Sequence, residues 1–71
     1  MSYRLRVSEL REAALAHGDT SGYAIAQRTG LSESAVSRLL RGTVRPGVIT
    51  LLSIRKVYGI SVDDLIEETA A

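Results

Sequence analysis

Four polar residues stand close together in the middle of the chain: Glu33, Ser34, Ser37 and Arg38. On a helix the positions i, i+1, i+4 and i+5 share one face, so this run would set a carboxylate, two hydroxyls and a forked donor side by side. Polar tips of different reach suit the edges of bases. A guanidinium bridges guanine O6 and N7, and a carboxylate accepts from cytosine N4. Each residue also has a plainer reading. Arg38 serves equally as a phosphate contact or a solvated arginine, and Glu33 in a first helical turn is favoured by the helix dipole alone. Ser37 lies between these cases.

The charge pattern bears on the same region. Residues 1–27 balance Arg4, Arg6 and Arg11 against Glu9, Glu12 and Asp19. Residues 28–56 set Arg28, Arg38, Arg41, Arg45, Arg55 and Lys56 against Glu33 alone, a net of +5, whereas residues 57–71 hold only Asp63, Asp64, Glu67 and Glu68, a net of −4. A basic middle meets phosphate and an acidic tail repels it. Arg28 and Lys56 read as solvated rather than functional, and Asp63, Asp64, Glu67 and Glu68 read as a solvated helix face rather than a metal site.

Glycines mark out the elements that must position these residues. Gly18, Gly22, Gly30, Gly42, Gly47 and Gly59 separate apolar segments, and the single proline, Pro46, lies in one gap. Ser8 reads as the N-cap of a first helix over 9–17, with Leu10, Ala13, Ala14 and His17 at three- and four-residue spacing and Gly18 as the stop. Ser21 caps a second helix running to Arg28 or Thr29, and Ser32 caps a third from Glu33 to Arg41. Residues 48–58 form a fourth. Ser61 with Asp64 three residues on resembles a capping box for a fifth over 62–68, with Val62, Leu65 and Ile66 as its apolar face. The expected fold is all-α: a five-helix bundle, one domain over residues 1–71.

The segment before Ser8 reads two ways. Tyr3, Leu5 and Val7 alternate with polar residues as a strand would, yet Tyr3, Val7, Leu10 and Ala14 also keep helical spacing. The reading leans to an extended arm or short strand. Such a strand has no partner within an all-helical chain and needs a second copy.

Residues 21–41 have the pattern of a helix-turn-helix. The small Ala26 stands where two helices would cross, Gly30 supplies a positive φ in the turn, and Leu31 plugs the turn into the core. Val36 and Leu39 then face inward, leaving Glu33, Ser34, Ser37 and Arg38 outside.

Composition removes several classes. The 71 residues include no cysteine and one histidine, so disulfides, thiolate zinc and multi-histidine metal sites are excluded. Three tyrosines are the only aromatics, too few for a base-stacking sheet. No apolar run approaches the roughly 18 to 20 residues of a membrane span, and no signal peptide is visible. There is no nucleophile elbow and no glycine-rich phosphate loop. The expectation is a non-enzymatic intracellular domain, with no cofactor, small-molecule ligand or membrane partner.

Ile25-Ala26-x-x-x-Gly30-Leu31-Ser32, then Val36-Ser37-Arg38-Leu39 and Arg41-Gly42, resembles the lambda-repressor-like, xenobiotic-response-element (Cro-type) helix-turn-helix family. The resemblance continues through Pro46, Leu51-Leu52 and Tyr58-Gly59-Ile60-Ser61-Val62-Asp63-Asp64-Leu65, covering about residues 8–66. It implies sequence-specific binding of a double-stranded DNA operator, with the helix over about 33–41 in the major groove. It also implies that Arg41, Thr43 and Arg45 meet the sugar-phosphate backbone, where Ser21 and Ser32 can add a hydroxyl or a helix N-terminus. Four positions depart from the family pattern. Gly22 replaces a common glutamine, Leu40 an acid and Ala14 a base, and the connection after Gly18 is one residue longer.

The resemblance therefore implies a small Cro-like repressor of prokaryotic or phage type acting by operator occupancy, cytoplasmic in a prokaryotic cell or phage-infected host. Two half-sites call for a homodimer, weak or DNA-assisted. Leu40, Leu52, Val57 and the Leu65-Ile66 face are the apolar surface expected to form it. The alternative is a protein-interaction module, antitoxin-like or an adaptor, using the acidic tail.

Overall fold

The computed structural model describes residues 2–69, in the order β1 (Ser2–Leu5), α1 (Val7–Ala16), α2 (Gly22–Thr29), α3 (Glu33–Leu40), α4 (Val48–Tyr58), α5 (Val62–Leu65) and β2 (Ile66–Thr69). Five helices form in the expected order, and the two short strands pair with each other. Leu10 of α1, Val36 of α3, Ile54 of α4 and Leu65 of α5 are each fully shielded from water and belong to one hydrophobic core. Ile25 and Ala26 of α2, Leu39, Leu51, Tyr58 and Leu5 complete the core around them.

The chain is mostly helical, not all-α, because its described ends make an antiparallel sheet. Leu5 pairs with Ile66, Arg4 with Glu67, Tyr3 with Glu68 and Ser2 with Thr69. The fifth helix accordingly stops at Leu65 instead of running to residue 68. Two effects end it there. Glu67 and Glu68 would crowd the negative end of a helix dipole, whereas Asp63 and Asp64 sit at the favourable end. On a strand, Glu67 instead faces Arg4, whose Nε donates to Oε1 at 2.8 Å, and Ile66 meets Leu5. The strand at residues 2–5 therefore finds its partner within the same chain, and the expectation of a second copy for that purpose is overturned. Glu67 and Glu68 lie on a strand, not on a helix face.

The start of α1 also differs from expectation. Val7 opens the helix and Arg6 is the N-cap, with no side-chain cap; Ser8 lies inside the first turn. The chain turns directly from strand to helix at Arg6, whose N–H donates to the Leu65 carbonyl at 2.7 Å while its own carbonyl accepts from Glu9 and Leu10. The other serine caps form as expected. Ser21, Ser32 and Ser61 accept from the backbone N–H of Ala24, Ala35 and Asp64 at 3.1, 3.1 and 3.2 Å.

A polar latch closes the long connection between α1 and α2. Asp19 is buried, and its carboxylate accepts from Arg28 through both Nε and Nη2 and from the Tyr58 hydroxyl at 2.7 Å. Arg28 is thus an ion-pair partner rather than a freely solvated base. The His17 Nδ1 lies 3.1 Å from the Ala13 carbonyl, and its ring stands edge-on to Tyr58. The Arg28 and Tyr58 hydrogen bonds hold the Asp19 carboxyl below the usual carboxylate range, outweighing its desolvation. Burial, then the bond to Asp19, pushes the Tyr58 hydroxyl up. Arg4 lowers Glu67 in the same way, through its hydrogen bond first and its charge second. Among the described residues no helix is long and apolar enough to cross a membrane.

A carboxylate with a lowered folded pKa contributes stability that is present above its unfolded pKa and is lost as pH falls through the folded value. Thermal denaturation should therefore show stability falling as pH drops below about 4, the ordinary carboxylate value. Tyr58→Phe should cost about 0.5–1.5 kcal/mol at neutral pH. Because it removes a donor from Asp19, it should also make the acid loss shallower than in the wild type.

Candidate nucleic-acid interface

α2 and α3 form a helix-turn-helix whose turn is built from local hydrogen bonds. Gly30 closes α2 at φ +79°, a conformation that favours glycine, and its N–H donates to the Ala26 carbonyl at 2.9 Å. The Thr29 hydroxyl donates to the Ile25 carbonyl at 2.8 Å and accepts from the Leu31 N–H at 3.3 Å. Leu31 packs against the core from the turn, and Ala26 is buried at the helix contact. With Val36 and Leu39 held inside, the rotation of α3 about its axis is fixed.

Glu33, Ser34, Ser37 and Arg38 are all exposed on the outer side of α3. The inward packing of Val36 and Leu39 brings them together as one polar stripe. Arg41, the C-cap of α3, is exposed at the end of that stripe. Ser32 Oγ lies 3.4 Å from Ser34 Oγ, tying the cap to the first turn. Ser21 accepts in its cap and so keeps its hydroxyl proton to donate outward, whereas the Ser32 hydroxyl shares its contact with Ser34.

The loop after α3 brings the remaining residues alongside. Arg38 and Arg45 line one groove of about 180 Å³ between α3 and the start of α4, together with Val44, Pro46 and Thr50. Thr43 is exposed, but both of its donors are engaged. Its N–H and its hydroxyl each donate to the Arg38 carbonyl at 3.2 Å. It ties the loop to the last turn of α3, a role that sequence reading missed. Arg45 is exposed, with its guanidinium over the Tyr3 ring. Tyr23 is 59% exposed and does not pack into the core.

Two departures from the family pattern prove to be neighbours. A Cβ at Gly22 would lie 3.6 Å from Leu40 Cδ1 and 3.7 Å from Val36 Cγ1, so Leu40 leans over the first turn of α2. Ala14 is only 1% exposed, which accounts for a small apolar residue where a base is common.

The geometry defines a bundle that presents the second helix of a helix-turn-helix to solvent. A helix-turn-helix family model matches residues 9–65. The chain belongs to that family, in its Cro/C1-type, lambda-repressor-like form. It is a family of DNA-binding regulators. No curated protein and no solved structure matches the chain.

Gly22 has an ordinary negative-φ helical backbone with room for a methyl group. Gly22→Ala should therefore stabilise the protein by about 0.4–1 kcal/mol, chiefly by restricting the unfolded chain. Chemical denaturation would show this as a raised midpoint with an unchanged slope.

Proposed function

We propose that the protein is a sequence-specific transcription regulator that represses by occupying a double-stranded operator, with α3 in the major groove. The observation that carries this reading is the exposed stripe Glu33, Ser34, Ser37 and Arg38 beside the exposed Arg41 and Arg45. Arg38 and its stripe read base edges. Arg41, Arg45 and the hydroxyls of Ser21 and Ser32 hold the phosphates, and Thr43 fixes the loop they depend on. Glu33 at the start of α3 favours a partner that offers donors, such as cytosine N4.

Two half-sites are read by two copies of the chain. The apolar surface expected for that contact needs revision, since Leu65 is fully buried and Leu40, Val57 and Ile66 pack against the core. The exposed large apolar side chains Val44, Val48, Ile49 and Leu52 instead cluster in sequence at the loop and the first turns of α4. They are the surface we assign to a second copy.

Binding to duplex DNA should weaken steeply with salt. If a dimer neutralises about six phosphates, log K against log salt should slope near −5. A slope near zero would favour the protein-interaction reading instead. Arg38→Ala should cost about 1–3 kcal/mol on the selected site and relax one base pair per half-site, whereas Arg41→Ala should weaken all sequences alike and flatten the slope by about one. Equal loss on selected and scrambled sites would make Arg38 a phosphate contact.

Ile49 is 76% exposed, so Ile49→Glu should leave the fold intact. It should convert a 2:1 complex on a palindromic site to 1:1 at the same protein concentration, as read by sedimentation. An undiminished 2:1 complex would remove this surface from the dimer.

A further inference from the structure

The loop that follows α3 is held by a residue from the first strand. The Tyr3 hydroxyl donates to the Pro46 carbonyl at 2.5 Å, and the Arg45 guanidinium lies 5.4 Å from the centroid of the same ring. One side chain thus touches two consecutive loop residues in different ways. The hydrogen bond fixes the backbone beside the buried Pro46, and the ring face supports the exposed cation. Tyr3 is itself held in place by the sheet, in register with Glu68 and next to the Arg4–Glu67 ion pair.

The chemistry of the stack matters for what Arg45 can do. A guanidinium lying over an aromatic face keeps the N–H donors around its edge available, and those donors match phosphate oxygens. Its long side chain has also lost rotamer freedom before any anion arrives, which lowers the cost of ordering it on binding.

We infer that Tyr3 is a positioning residue for DNA binding, preordering Arg45 for a backbone phosphate and making the β1–β2 sheet part of the DNA-gripping device. The inference rests on the DNA-binding reading above, and it gives the sheet a task that the helix-turn-helix alone does not explain.

The test uses the intact protein with three substitutions, Tyr3→Leu, Tyr3→Phe and Arg45→Ala, and the double variant Tyr3→Leu/Arg45→Ala. Phosphate contacts are independent of sequence, so affinity is measured on a short duplex of mixed sequence at low salt. Each variant is compared at a temperature where circular dichroism shows it folded. Tyr3→Leu should weaken binding about three- to tenfold, the range expected when one long side chain loses its preordering. Tyr3→Phe keeps the ring and should fall between Tyr3→Leu and the wild type. The double variant should bind no more weakly than Arg45→Ala alone, because Tyr3 then has nothing left to position. Losses that multiply would overturn the proposal, since a Tyr3 that merely stabilises the fold would act whether or not Arg45 is present.

A second readout needs no DNA. The Arg45 Cδ protons should show an upfield ring-current shift in the wild type and in Tyr3→Phe, and lose it in Tyr3→Leu. A shift that Tyr3→Leu leaves unchanged would also overturn the proposal. A wild type without salt-dependent duplex affinity would defeat the DNA-binding reading, and the proposal with it. The ring-current result would be untouched in that case, so the two failures are told apart.

Discussion

Val36 sees no water, and much of the structure depends on that constraint. With Val36 and Leu39 both buried, α3 has one allowed rotation about its axis, and the residues between them are forced outward. Glu33, Ser34, Ser37 and Arg38 reach solvent because their neighbours cannot. A polar substitution at Val36 would bury an unpartnered group in the core, and the surface stripe would lose its orientation with it. The reading face and the hydrophobic centre are thus two sides of one helix, which is economical in a chain this short.

A second constraint is polar. With no disulfide and a small core, the connection between α1 and α2 has little apolar surface to hold it. Asp19 supplies the hold by accepting from Arg28 on α2 and Tyr58 on α4 at once. A buried carboxylate is tolerated because charge and hydrogen bonds both reach it, and no buried side-chain polar atom among the described residues lacks a partner. This latch lies on the α1–α2 side of the bundle, while Thr43 and Tyr3 brace the loop after α3.

The helices and the turn were legible in the sequence because their signals are local. Ser21, Ser32 and Ser61 cap where a serine precedes an apolar period, and Gly30 and Gly59 stop helices at positive φ. The outward stripe on α3 could be read from Val36 and Leu39 for the same reason. What escaped was long-range. Nothing near Asp19 names Tyr58 as its partner, and nothing near Tyr3 names Pro46. The sheet left a faint trace that periodicity alone did not resolve. Glu67 and Glu68 stand at the wrong end of a helix, while Arg4 and Leu5 complement Glu67 and Ile66 in antiparallel order. Ser8 misled because serine before a helix is a strong cap signal, and here a strand feeds the helix two residues earlier.

The pairing of β1 with β2 carries a consequence for how the chain is made. Arg4 and Glu67 lie 63 residues apart in sequence, so the first strand leaves the ribosome long before its partner exists. During synthesis the helices have their neighbours close at hand and can begin to pack as they emerge. The strand, and the ordering it gives to its side of the bundle, must wait for β2, which is made after all five helices. A nascent chain halted after α4 would carry an unzipped N-terminal strand, and only β2 would fasten it.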